Sequence, residues 1–193
     1  MNFLAHAYLS FNDPSLIVGN MIADFVKGKQ ILQYDDAIQQ GIRLHRSIDT
    51  FTDQHPATAA AKAFFRPTCG LYGAVFMDIV YDHYLANDPQ HFTPQSLETF
   101  SARVYQVLTG NMAILPDRFR QVFHYMQQHD WLYNYRTRQG ILSSFNGIVR
   151  RAKFITVPAT VPYAVFEEHY AALETCYTTF FPDLQAHARH FIG

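Results

Sequence analysis

Only two cysteines, Cys69 and Cys176, occur in 193 residues, far apart and without CxxC spacing. That excludes a disulfide framework and a thiolate metal site, and predicts packed, reduced thiols in a reducing, cytoplasmic compartment. Net charge is equally scarce, at -1. A bulk polyanion-binding surface is therefore excluded, no nucleic-acid partner is expected, and any charged partner must be met by a local patch. Long hydrophobic runs are missing too: the longest, Ser15 to Ala23, is interrupted by Asn20 and ended by Asp24. It falls well short of the roughly 20 apolar residues of a membrane span, so no membrane association is expected. The start, MNFLAHAYLSFNDPSL, has no basic n-region and carries His6 and Asp13, which does not read as a secretory signal. Neither an internal repeat nor a low-complexity linker is present.

Apolar and aromatic residues are plentiful: 49% of the chain is hydrophobic, with 17 Phe, 12 Tyr and 10 His. This is enough to build the core of one compact domain over residues 1–193. No segment sustains period-two alternation between hairpin signals, so the predicted fold class is all-α, a single-domain helical bundle. A first helix is expected from Asn2 to Phe11, stopped by Asn12-Asp13-Pro14. Asp13 then caps a second helix with Pro14 at its first position, running to about Val26 and ending at Lys27-Gly28-Lys29 with Gly28 as a left-handed cap. A third begins near Asp35-Asp36 and ends at His55-Pro56. The next covers Pro56 to Phe65 and closes at Arg66-Pro67. Gly70 to Ala86, apolar nearly all round, is the predicted central buried helix. Further helices are expected at Pro94–Leu108, Pro116–Gln128, Tyr133–Arg151 and Pro162–Ala188.

The chemistry-bearing residues lie in the first half. His45 and Asp49 on the third helix, and Asp78 and Asp82 on the central one, share i, i+4 spacing, so each pair leaves one helical face. Facing pairs of this type can build a divalent-metal cage from rigid backbone. Asp24 could supply another carboxylate and His6 another imidazole. As an isolated exposed pair, His45 and Asp49 would be worth only about 0.3–0.5 kcal/mol. Asp78 and Asp82 demand more explanation, because Val75, Phe76, Met77, Ile79, Val80, Tyr81 and Leu85 surround them. Two like charges there are costly unless a cation or hydrogen-bond donors satisfy them. His129-Asp130 is the one adjacent His-Asp pair, but it falls between helices where Asp130 reads as an N-cap of the following Trp131-Leu132-Tyr133. Basic residues cluster at Lys27, Lys29, Arg43 and Arg46, and again at Arg150, Arg151 and Lys153. The first cluster shares its helices with Asp24 and His45, so it could steer an anionic substrate or partner.

Four ordered motifs, MNFLAH ending at His6, GNMIADFVKG from Gly19 to Gly28, GIRLHRSIDTFTD from Gly41 to Asp53 and DIVYDHYL from Asp78 to Leu85, resemble the acyl carrier protein phosphodiesterase family, also called acyl carrier protein hydrolase. The likeness covers the first ninety residues closely and the Gly140-to-Arg151 and Glu174-to-Pro182 stretches more loosely. It implies an all-helical relative of the HD hydrolases that cleaves the phosphodiester joining 4'-phosphopantetheine to a serine of holo acyl carrier protein, giving apo carrier protein and 4'-phosphopantetheine. It also implies dependence on a divalent cation, typically Mn2+. By matching position, His6, Asp24, His45, Asp49, Asp78 and Asp82 form the candidate metal and catalytic set, with Arg46 and His83 beside them. The adjacent His-Asp dyad of the wider HD pattern is missing from this region.

Mixed His and Asp ligands favour Mn2+, Mg2+ or Fe2+, ions that lower the pKa of bound water and neutralise phosphoryl oxygens. In this reading Asp24 and His45 hold metal with one or more of Asp78, Asp82 and Asp49. Arg46 or Lys27 then stabilises developing charge and His83 protonates the leaving serine oxygen. Acyl carrier proteins are acidic, so the patch of Lys27, Lys29, Arg43 and Arg46 would dock them. Two other classes fit the same residues: an HD-like phosphohydrolase of a nucleotide or other small phosphodiester, and a non-enzymatic helical binding module. Oligomeric state leaves no sequence signal.

Overall fold

The computed structural model describes residues 1–152 and 155–193, and no strand occurs among them. The helices are α1 (Phe3–Tyr8), α2 (Pro14–Ile22), α3 (Asp36–Gln54), α4 (Pro56–Cys69), α5 (Gly73–Asn87), α6 (Pro94–Gly110), α7 (Asp117–Gln128), α8 (Trp131–Asn134), α9 (Arg138–Arg151), α10 (Thr160–Glu168) and α11 (Tyr170–Ile192). Three tight 3-10 turns, Ala23–Phe25, Gly28–Gln33 and Gly70–Tyr72, join them. The all-α expectation holds. No described helix is long and apolar enough to cross a membrane.

Proline and capping chemistry set several boundaries as expected. Asp13 accepts the Leu16 N–H at 2.9 Å ahead of Pro14, and Thr93 accepts the Ser96 N–H at 3.2 Å ahead of Pro94. His55 ends α3 and starts α4, its Nδ1 accepting the Ala57 N–H.

Other boundaries differ. The first helix stops at Tyr8, because Phe11 and Asn12 take positive φ to turn the chain toward Asp13. The second tightens into a 3-10 turn after Ile22, and Gly28, though left-handed, opens the next turn instead of closing α2. α4 runs through Pro67 to Cys69, because a proline in the last turn forfeits one hydrogen bond without blocking the few residues that remain. The stretch from Tyr133 to Arg151 divides at Tyr135–Thr137. There Thr137 caps α9 by accepting the Gly140 N–H at 2.9 Å, and a Cβ on Gly140 would sit 2.0 Å from the Asn134 carbonyl oxygen. The last predicted helix divides at His169, while Pro182 lies inside α11. Asp130 precedes α8 with φ of 42° and does not cap it: its Oδ1 accepts the Ser101 hydroxyl at 2.7 Å.

One apolar core runs through the described residues. α5 is its axis, packed against α1, α4, α9 and α11, while α2 lies along α3. Phe76 meets Phe145 of α9 edge-on at 4.9 Å, and Tyr81 stacks on Phe180 of α11 at 5.1 Å. Cys69 is buried, Cys176 half-buried, and both are free thiols. Lys153 of the second basic cluster lies outside the described residues.

Candidate active site

Two glycines without side chains let α2 and α3 touch backbone to backbone. A Cβ on Gly19 would lie 2.1 Å from the Ile38 carbonyl oxygen, and one on Gly41 2.6 Å from that of Leu16. This approach sets Asn20 of α2 beside His45 of α3, whose Nδ1 is 2.8 Å from the Asn20 backbone oxygen. α1 adds His6, whose Nδ1 is 2.8 Å from Asn20 Oδ1. The two imidazoles stack, with centroids 3.9 Å apart and planes 16° from parallel.

Hydrogen bonding fixes both tautomers. Asn20 Nδ2 lies 2.8 Å from the His6 carbonyl oxygen, which can only accept, so that amide nitrogen is the donor and Oδ1 faces His6. His6 Nδ1 and His45 Nδ1 therefore both donate, one to Oδ1 and one to the main-chain oxygen of the same asparagine. In the neutral rings both Nε2 lone pairs are free. They point at Asp49, with His6 Nε2 3.2 Å from Oδ1 and His45 Nε2 3.1 Å from Oδ2, while Asp24 Oδ1 is 3.3 Å from His45 Nε2. A lone pair facing a carboxylate oxygen repels it unless a proton or metal ion lies between. Ligand atoms of His6, His45 and Asp49 all fall within 4.8 Å of one another, so these three could hold a cation, with Asp24 at the rim. Two imidazole nitrogens, carboxylate oxygens and second ring nitrogens donating to carbonyl-type oxygens fit the donor set and outer shell that a divalent ion requires.

Titration follows from the same contacts. Burial, and then the neighbouring His45, push the His6 pKa down to about 4. Burial also opposes charge on His45, but hydrogen bonds to Asp24 and Asp49 outweigh it and push that pKa up to about 9. Asp49 is held well below the carboxylate range because bonds to His45 and His6 overcome its burial. Asp24 is lowered chiefly by its bond to His45. One proton on the stacked pair, at His45, is the favoured state.

Asp78 and Asp82 of α5 are satisfied by donors. Fully buried Asp82 accepts three backbone N–H groups at the start of α1: Leu4 at 2.7 Å, Ala5 at 3.2 Å and Asn2 at 3.3 Å. It anchors the positive end of the helix that carries His6. Asp78 Oδ1 is 3.0 Å from the Met1 amino nitrogen, which is also 3.9 Å from Asp49. Asp78 therefore forms part of the wall, and Asp82 lies behind it. His83 faces away: Nδ1 donates to the Tyr135 carbonyl at 2.7 Å and Nε2 is 3.0 Å from the Tyr170 hydroxyl. Burial lowers its pKa, and both ring nitrogens are engaged.

The four basic residues sit outside. Lys27 and Lys29 are exposed, Arg46 Nη2 donates to the Val26 carbonyl at 3.1 Å, and Arg43 Nη2 to Gln39 Oε1 at 2.8 Å. Among the described residues none of the four has a carboxylate in ion-pair range. The exposed His129 and its neighbour Asp130 are remote from the stacked histidines, with His129 lining a different cavity. Asn20 was missed by sequence reasoning, where it appeared only as a break in an apolar run; a buried amide between two candidate ligands was the available signal.

Met1, Asn2, Phe3, Thr52, Asp53 and Ala74 complete a cavity of about 270 Å³ around His6, Asp24, His45, Asp49 and Asp78. The family model described as acyl carrier protein phosphodiesterase matches residues 1–184. Curated proteins named acyl carrier protein phosphodiesterase are similar over nearly the full length. Those of Yersinia pestis and Serratia proteamaculans (strain 568) are each 30% identical, over 98% of this chain and 98% of theirs. One from Escherichia coli O139:H28 is 32% identical with the same coverage. No solved structure matches.

Proposed function

The chain belongs to the acyl carrier protein phosphodiesterase family, and from that premise we propose that it hydrolyses the phosphodiester between 4'-phosphopantetheine and a serine of holo acyl carrier protein, in the cytoplasm. Water adds to phosphorus, the bond from phosphorus to the serine oxygen breaks, and a proton passes to that oxygen. The products are apo carrier protein and 4'-phosphopantetheine. The convergence of His6 Nε2, His45 Nε2 and the Asp49 carboxylate at one wall of the cavity carries this reading.

His6, His45 and Asp49, with Asp24 at the rim, would hold the divalent ion, Mn2+ foremost and Mg2+ or Fe2+ as alternatives. Such an ion supplies Lewis acidity, neutralising phosphoryl oxygens and lowering the pKa of the attacking water. Asn20 keeps both Nε2 atoms aimed inward. Asp24, with 71% of its side chain exposed, is the carboxylate open to an incoming water and orients it by accepting its hydrogen bond. Arg46 and Lys27, neighbours in sequence of His45 and Asp24, would offer their charge to an anionic phosphodiester, and with Lys29 and Arg43 would make a basic patch for an acidic carrier protein. His83 has no part in proton transfer, because its ring is buried between Tyr135 and Tyr170. A helical fold with His and Asp ligands also fits the proposed kinship with HD hydrolases.

The test is incubation with holo acyl carrier protein and Mn2+, with and without EDTA, followed by intact mass spectrometry. Loss of the phosphopantetheine mass, blocked by EDTA and abolished in a helical, folded Asp24→Ala variant, is expected. Intact holo protein after incubation with the metal-loaded chain would redirect the reading to a small phosphodiester.

A further inference from the structure

A second, larger cavity of about 710 Å³ adjoins the first. Asn2 belongs to both walls, and the neighbouring α5 residues Asp78 and Ile79 face one each. Asn2 Nδ2 donates to the Tyr135 hydroxyl at 3.1 Å, so this side chain forms the sill between the two spaces. At about 270 Å³ the small cavity lies just below the usual range of small-molecule sites. The large one is in the usual size range of small-molecule sites.

Its lining has a definite chemistry. The face of α9 from Gln139 to Arg151, about 18 Å at 1.5 Å per residue, presents Ser143, Ser144 and Asn146 and ends in Arg150 and Arg151. Trp131 and Tyr135 also line the cavity. A Cβ on Gly147 would lie 3.8 Å from the Arg151 guanidinium nitrogens, so that group folds back along α9 across the glycine. Among the described residues no Asp or Glu lines the groove. Such a wall offers hydroxyl and amide partners along its length, aromatic faces for short apolar stretches and positive charge, and it disfavours a cationic ligand.

We propose that this groove is the subsite for the prosthetic arm of the substrate, a neutral extended chain bearing secondary amides and a hydroxyl that runs from the phosphate past Asn2 and along α9. The proposal rests on the reading of the reaction given above. A pantetheine chain has this alternation: amides and a hydroxyl for Ser143, Ser144 and Asn146, and a dimethyl-bearing carbon for Trp131 and Tyr135. It also assigns a role to the Gly140-to-Arg151 stretch, which the metal cluster leaves unused.

Trp131 is the chain's single tryptophan, so its emission reports on the groove without labelling. The test is titration of the full-length protein with pantetheine, which carries no phosphate, and with 4'-phosphopantetheine. A saturable change with both is expected, with affinity reduced at least tenfold in Ser144→Phe, which narrows the groove. Thermal melting establishes that the variant is folded, and Ser143→Phe, at an exposed position, serves if Ser144→Phe is not. Absence of a saturable response in the wild type, or unchanged affinity in a folded groove variant, overturns the proposal. The carrier-protein cleavage assay run beside it separates the two ideas. Cleavage without pantetheine binding refutes the groove and leaves the reaction standing, whereas binding sensitive to Ser144→Phe without cleavage refutes the reaction and leaves the groove.

Discussion

Asn20→Ala should weaken divalent-ion binding through one histidine only. The substitution removes the Oδ1 acceptor of His6 Nδ1 and the two donor bonds of Nδ2, to the His6 carbonyl at 2.8 Å and Ser10 Oγ at 3.1 Å. The His6 carbonyl keeps a partner, because Ser10 Oγ still donates to it at 2.9 Å. The group left stranded is His6 Nδ1–H, and a buried donor without a partner costs about 1–3 kcal/mol. At about 2–4 °C per kcal/mol for a chain of this size, the melting temperature should fall by roughly 2–12 °C. His45 is spared, since its acceptor is the Asn20 main-chain oxygen. Freed from its tautomer, His6 should reduce Mn2+ affinity about 10–100-fold, the usual effect of losing an outer-shell partner. Isothermal titration with Mn2+ beside a melting curve reads both effects. Ser10→Ala is the control: its hydroxyl touches the His6 carbonyl and Asn20 but neither ring, so it should lower the melt and leave affinity within about twofold. A folded Asn20→Ala protein that binds Mn2+ as tightly as wild type would refute the reasoning.

Asp82→Ala would strand the buried N–H groups of Leu4 and Ala5 at the start of α1, at about 1–3 kcal/mol each, and the part-buried one of Asn2. It should be among the most destabilising single changes in the protein, while folded Asp82→Asn should keep Mn2+ affinity and Asp49→Asn should lose it; reversal of that order by titration would make Asp82 a ligand. Gly41→Ala would drive a methyl to 2.6 Å from the Leu16 carbonyl oxygen. α2 must then shift away from α3, and a stability lowered by about 1–3 kcal/mol is expected together with weaker Mn2+ binding, since the Asn20–His45 bond spans that contact; an unshifted melt would show the contact to be loose. In chelated protein the His45 pKa of about 9 lies above the ordinary 6.5 and that of His6, about 4, below it. The His45 contribution is therefore complete below pH 6.5 and fades as pH rises toward 9, while neutral His6 loses stability as pH falls from 6.5 toward 4. Depressed Asp49 adds a contribution lost only in stronger acid. Buried Asp82, pushed up to about 7, works against His6 between pH 4 and 6.5, so melts should change little there and fall as pH rises from 6.5 toward 9, and Mn2+ should raise the melt more on the alkaline side, where His45 surrenders its proton more readily; no fall above pH 6.5 would count against the His45 shift.

The parts of this fold that were legible in the sequence depend on local chemistry. Asp13-Pro14 and Thr93-Pro94 announce helix starts because a cap and a fixed φ act within a few residues. Pro67 misled because a proline removes one hydrogen bond and leaves the next turn free to form when packing favours it, as in α4; Pro182, expected inside the last helix, does lie inside α11. The site was legible where its members share a helix: His45 and Asp49 meet as their spacing requires. The cost argument for Asp78 and Asp82 demanded a cation or donors, and the structure supplies donors. Their partners come from the first five residues, about 80 positions away, where no periodicity could find them. Asn20 was hidden for the same reason, since its importance lies in what α1 and α3 bring to it.

The carboxylates in and behind the cavity wall sort by what neutralises them, Asp53 by Lys62 at 2.7 Å among them, and the order is the one that a divalent ion would complete. Asp82 is matched by the N-terminal dipole of α1 and Asp78 by the Met1 amino group. Neither has charge left to offer. Asp49 and Asp24 share the two imidazoles, which stack at 3.9 Å and so resist double protonation. With one proton on His45 the inner site keeps a net negative charge, and a phosphodiester, itself an anion, would be repelled. A divalent ion in place of that proton cancels both carboxylates and leaves two neutral imidazoles as ligands. Only then would the exposed charge of Lys27, and that of Arg46 held at the Val26 carbonyl, be free to favour an anion. On the proposed reading, charge balance would make cation binding a precondition for admitting the substrate, and the affinity for an anionic phosphodiester analogue, measured by titration, should fall when the ion is stripped even though no turnover is involved.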